Sequence, residues 1–247
     1  MIMKPNRLLF LLALIAMCGV LLPAATLHGQ NLEPMEPPAD PVLRPVPEFS
    51  EWVERFTYEQ EKQGGLPNEP TLPRTVTTTQ TRGIVHEIID DISGGKTEKW
   101  QSGNTFYLKP LGQTFWGEYD PSFQENNLSP RIQFQIVPQG RFRDLDWIQR
   151  ANFAGFGKRA GAPVFYFTPL PINNVHPPAS LENLPAVAVV DATTRMPILV
   201  RQDGSTRIFT FNEAPAAMQS LPSDLIQEIK EGIERRKKVF AAPKREY

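Results

Sequence analysis

The chain has 247 residues, with 26 basic and 27 acidic side chains, 25 prolines, 16 glycines and a single cysteine, Cys18. So balanced a charge provides no field to hold nucleic acid or an anionic membrane surface. One cysteine inside an N-terminal apolar run excludes disulfides, thiol nucleophiles and thiolate metal sites from the remainder. The length suits one globular domain with a sizeable core, plus a tail.

Residues 1–29 read as a signal peptide: Lys4 and Arg7 at the start, an apolar run over 8–22, then the small residues Ala24, Ala25 and Gly29. The run is about 15 residues, interrupted at Gly19 and closed by Pro23, whereas a spanning helix needs roughly 20. The expectation is export to the periplasm or cell envelope and a product that is soluble once the signal is cut, with 24 basic and 27 acidic residues left. Met17 stands where a small residue normally precedes an acylated cysteine, so lipid attachment at Cys18 is not expected.

Residues 30–48 alternate six prolines with acidic and small residues, which suits a stiff spacer. A single domain is expected over 49–240 and a short tail over 241–247. In 49–62, Phe49, Trp52, Val53 and Phe56 fall at intervals of three, four and seven, which predicts an amphipathic helix capped by Ser50 and ended by Gly64 and Gly65.

The period then drops to two. Threonine-rich 74–82, then 83–92, 96–102 and 105–109, separated by Ser93-Gly94-Gly95 and Gly103-Asn104, predict a β-meander. Further strands are expected over 114–119, 131–137, 163–167, 185–191, 196–201 and 205–211, the last two joined at Asp203-Gly204. Leu221, Leu225, Ile226, Ile229, Ile233 and Phe240 form one apolar stripe after Ser220, Pro222 and Ser223, which predicts a C-terminal helix with Arg235 to Lys238 at its negative end.

Catalytic constellations are sparse. His86 shares its strand face with Ile84, Ile88 and Asp90, while Glu87 and Asp91 point the other way with Val85 and Ile89. The only other histidine past the signal is His176, so neither a metal site nor a serine triad is expected, and no Gly-x-Ser-x-Gly elbow occurs. Gly155-Phe156-Gly157-Lys158-Arg159 lacks phosphate-loop spacing and reads as a flexible turn. Asp144/Asp146 and Asp120/Glu125 are pairs that any chain this acidic contains by chance.

Three segments carry a resemblance: 83–110, 144–155 (DLDWIQRANFAG), and 191–222, with D-x-x-T-x-x-P at Asp191, Thr194 and Pro197 and an aromatic-x-Phe pair at Phe209 and Phe211. They resemble exported carriers of the lipoprotein-localisation factor superfamily over about 49–238. The resemblance implies an incomplete β-barrel covered by helices, with a cavity that accepts acyl chains. The proline-rich spacer departs from that pattern.

The expected fold is therefore α+β: a curved, incomplete antiparallel β-barrel, a half-barrel partly covered by an N-terminal and a C-terminal helix. The expected function is non-enzymatic binding of a lipid acyl chain or other apolar ligand by Trp100, Phe106, Leu108, Phe115, Phe134, Phe209 and Phe211, with no cofactor, metal or nucleic acid. The alternatives are a structural or protein-interaction module of the envelope with a filled core, and a secreted hydrolase.

Overall fold

The computed structural model describes residues 36–59, 72–119, 134–171 and 181–241, all within one compact unit, Leu32–Tyr247. Residues 1–29, where a signal peptide was expected, and Asp120, Glu125 and His176 lie outside the described residues.

Eleven strands form one sheet: β1 Ser50–Tyr58, β2 Pro73–Thr81, β3 Ile84–Asp91, β4 Lys96–Ser102, β5 Thr105–Pro110, β6 Gly117–Tyr119, β7 Phe153–Arg159, β8 Ala162–Phe167, β9 Val187–Asp191, β10 Pro197–Gln202 and β11 Ser205–Phe211. Among the described residues one α-helix, α1, follows at Ser223–Ala241. The sheet is open, in the order β6-β5-β4-β3-β2-β1-β11-β10-β9-β8-β7, with every neighbouring pair antiparallel. Chain order is kept everywhere except at the centre, where β1 joins both β2 and β11.

The predicted N-terminal helix is a strand. Trp52, Glu54 and Phe56 face one side of β1, and Val53, Arg55 and Thr57 the other. The run is rich in aromatic and β-branched residues, and at the centre of the sheet it has a ladder on both sides; that tertiary pairing outweighs a four-residue apolar spacing.

Other boundaries move as well. Residues 134–137, expected in a strand, belong to a covering loop, and the strand expected over 114–119 shortens to β6. The supposed flexible turn at Gly155 to Arg159 is edge strand β7, hairpinned to β8 through Ala160-Gly161. Ala160 and Gly161 both have positive φ, +49° and +85°, as do Asp203 and Gly204 at +53° and +71°. Two successive positive φ angles give the primed turn whose twist matches the flanking strands.

One sheet face, here called inner, carries the main core: Trp52, Val85, Phe165, Phe167, Ala188, Val190, Val200 and Phe209. It is covered by Val137, Phe142, Leu145 and Ile148 from the loop before β7, and by Val42 and Val46. The latter two correct the spacer reading, since this part of the proline-rich stretch is packed on the sheet. The Arg195 guanidinium donates to the Val42 and Ala39 carbonyls at 2.7 and 3.0 Å and also to that of Pro41, while the Val46 amide donates to Gly140 at 2.9 Å. A few valines among prolines suffice to dock a strap when the covering loop offers a carbonyl at Gly140 and the β9–β10 turn a guanidinium at Arg195.

The outer face bears two smaller clusters. Val164, Tyr166, Val187, Val189 and Leu199 pack with Leu181 at one end. At the other end Trp100, Tyr107 and Trp116 receive Leu225, with Leu221 and Ile229 alongside. Thus α1 covers the outer face, opposite the side on which an acyl-holding cavity was expected. Its predicted stripe divides: Leu225 is fully buried, whereas Ile226 and Ile233 are exposed.

Candidate functional site

The seven expected ligand-binding aromatics and aliphatics fall in three places. Trp100 belongs to the outer face under α1, because its register partner is Tyr107 while Lys99 and Gln101 on either side point inward. Its ring stacks on His86 at 4.1 Å, and its Nε1 donates to Glu98 Oε1 at 2.8 Å. His86 Nε2 lies 3.2 Å from the same Glu98 oxygen, and burial, opposed by Glu98, holds its pKa below the ordinary histidine value. Phe209 and Phe211 lie on the inner face, each edge-on to Phe142 of the covering loop, 6.0 and 5.9 Å between centroids. That part of the inner face is filled by the chain itself.

Leu108, Phe115 and Phe134 do come together. With Thr97, Pro110, Gln113, Gly117 and Tyr119 they line an open recess of about 290 Å³ at the β6 end of the inner face. Phe115 is 60% exposed at its rim. Tyr119 leans on Phe134 at 5.4 Å and stacks on Phe106 at 5.6 Å. Phe106 itself is fully buried and forms the layer behind the recess rather than its lining.

Sequence reasoning missed what lies next to this recess. The inner face carries a row of charged side chains: Arg207 on β11, Glu54 on β1, Glu87 on β3 and Lys99 on β4, joined by Arg143 of the covering loop. Glu87 and Lys99 are register partners whose Oε2 and Nζ stand 2.7 Å apart, both side chains wholly buried. Thr78 Oγ1 donates to Glu87 Oε1 at 3.3 Å, and Arg143 pairs with the same oxygen. Arg207 lies 3.6 Å from Glu54, whose Oε1 accepts from Trp52 Nε1 at 3.2 Å.

Burial shapes these charges. It drives the Lys99 ammonium down to about 8, with Glu87 opposing. It also pushes both carboxyls up: at Glu87, Arg143 and Lys99 more than offset this and hold the carboxyl below its ordinary range, whereas at Glu54 burial prevails over Arg207 and Arg143. The one signal in the sequence was parity, which set Glu87 on the same side as Val85 and Ile89, a carboxylate on an apolar face.

The row also anchors the covering loop. Lys99 Nζ donates to the Gln135 carbonyl, Gln101 Nε2 donates to the Val137 carbonyl at 2.9 Å, and the Val137 amide donates back to Gln101 Oε1 at 2.8 Å. Asp144 and Asp146 in that loop are exposed. Among the described residues no cluster of three or more potential metal ligands occurs.

Comparison with known proteins adds no relative: no family model, curated protein or solved structure matches the chain.

Proposed function

We propose that this chain is an exported, non-catalytic carrier-like protein of the cell envelope that holds an apolar chain in the recess of Leu108, Phe115, Phe134 and Tyr119. The observation that carries the reading is Phe115, a large apolar ring 60% exposed over a recess of about 290 Å³ that it shares with Leu108 and Phe134. Apolar surface left open in this concave form is favourable to cover, at roughly 25 cal/mol per Å². The volume lies at the lower end of ligand sites, roughly 300–1,000 Å³, which fits a single hydrocarbon chain better than a two-chain lipid. The open eleven-stranded antiparallel sheet also accords with a carrier related to the lipoprotein-localisation factors, here with the apolar site at one end of the sheet instead of along its whole inner face.

A second reading has its own support. The inner face is packed by Trp52, Phe142, Leu145 and Phe209, as in a structural or interaction module with a filled core. The two separate on one experiment. Protein purified from the exported fraction without detergent is analysed by mass spectrometry for bound lipid, and titrated with a fluorescent fatty acid before and after Phe115→Ala. Bound lipid, or probe uptake weakened by the substitution, supports the carrier. Absence of both lipid and uptake moves the function to the structural module. The intact mass of the same material reports export, the expected N-terminus falling between Ala24 and Gln30.

A further inference from the structure

We propose that Tyr119 is the chain-length stop of the recess: its ring, seated over Gly117, closes the inner end, so that the site takes the end of one alkyl chain to a depth of about six carbons. The inference rests on the carrier reading and adds the length class of the ligand and the residue that sets it.

The recess has a direction. Its lining lies on three successive cross-strand rows of the inner face: Thr97 with Pro110, Leu108 with Gly117, and Tyr119 opposite Phe106. Pro110 of the first row is exposed, as are Gln113 and Phe115 of the loop after β5, so the mouth lies at that end. At the third row Tyr119 stacks on Phe106 at 5.6 Å and meets Phe134 at 5.4 Å, and Phe106 behind it is fully buried. A chain that enters past Phe115 therefore runs towards Tyr119.

Gly117 decides where that ring stands. It precedes Tyr119 by two residues, on the same face of β6. A Cβ at Gly117 would lie 2.9 Å from Tyr119 Cε2 and 3.4 Å from its hydroxyl oxygen. The ring thus reaches back over the glycine while staying nearly parallel to Phe106, at 7°. No charged side chain belongs to the lining, so it offers an entering chain hydrocarbon and leaves a polar head at the mouth.

The depth follows from strand geometry. Rows on one face are two residues apart, about 7 Å. With the third row taken by Tyr119, the open floor is the step from Pro110 to Leu108. Carbon–carbon bonds of about 1.5 Å advance an extended alkyl chain by about 1.25 Å per carbon, so about six carbons cover that step.

The test titrates the exported protein with n-alkanols of three to fourteen carbons, each read by its displacement of the fluorescent fatty acid. Affinity is expected to rise about fourfold per methylene while the chain fills the floor, and by less than about 1.5-fold per methylene beyond about six carbons. Tyr119→Ala bares the next row, about another 7 Å, and should carry the steep rise on by about five carbons. Tyr119→Phe keeps the ring and should break where the parent does. The break in the parent needs no variant, so it decides the matter even where Tyr119→Ala fails to fold. A parent series that rises unbroken to fourteen carbons, a folded Tyr119→Ala whose break stays in place, or a bound probe that no alkanol displaces overturns the stop. Uptake of neither probe nor alkanol removes the recess, and the carrier reading with it.

Discussion

Glu87 and Lys99 face each other across β3 and β4 with 2.7 Å between Oε2 and Nζ, and neither side chain has any exposed surface. Their loss should be unequal. Lys99→Met leaves Glu87 paired with Arg143, whereas Glu87→Ala takes the shared buried carboxylate from both Lys99 and Arg143. Breaking a buried pair typically removes about 3–5 kcal/mol, so Lys99→Met is expected at or below the low end of that range and Glu87→Ala at or above the high end, read from urea midpoints. The reverse order would mean that Arg143 does not hold Glu87.

Along α1 the same type of substitution should have opposite consequences. Leu225→Ala empties a fully buried site between Trp100, Tyr107 and Trp116 and should lower stability by about 2–5 kcal/mol. Ile229→Asp, half-buried beside them, should lower it by about 2 kcal/mol or more. Ile233→Asp lies on the exposed side and should stay within about 0.5 kcal/mol of the parent. Similar losses at Ile229 and Ile233 would show that the far half of the helix packs on something.

Phe106→Ala separates core from lining. The ring is fully buried between Tyr119 and Lys99, so its removal should lower stability by about 3–5 kcal/mol. Phe115→Ala, at the exposed rim, should leave the urea midpoint nearly unchanged while weakening probe uptake. A mild effect at Phe106 would place that ring in the ligand site after all.

His86 makes the fold sensitive to mild acid. Burial lowers its folded pKa, with Glu98 opposing, so below the ordinary histidine value of about 6.5 the unfolded chain binds a proton that the folded one takes up only at lower pH. The stabilisation due to neutral His86 is complete above about pH 6.5 and declines as pH falls further. Relative to His86→Gln, the parent should therefore lose stability in denaturant titrations as the pH falls below about 6.5. A parent that gains on the variant over that interval would show that Glu98, rather than burial, dominates the site.

Much of the sheet was legible because side-chain parity and turn chemistry are local. Gly103-Asn104 and Asp203-Gly204 place β4–β5 and β10–β11 in register, and the alternation Thr105, Phe106, Tyr107, Leu108 assigns Phe106 and Leu108 to one face, where the structure has them. The same parity, carried one strand further, separates Trp100 from Phe106, since register sets Trp100 opposite Tyr107.

What only the tertiary structure decided depends on contacts distant in sequence. Phe49, Trp52, Val53 and Phe56 satisfy helical spacing, but a strand there gains two ladders, one of them from β11 some 150 positions later, and no local preference competes with that. The edge strand β7 hides behind two glycines, and the strap of Val42 and Val46 behind its prolines. Most of all, the inner charged row draws Arg207, Glu54, Glu87 and Lys99 from four strands and Arg143 from a loop. Each alone resembles any surface charge of a balanced chain. Only their convergence under the covering loop, with water excluded, turns them into a buried site.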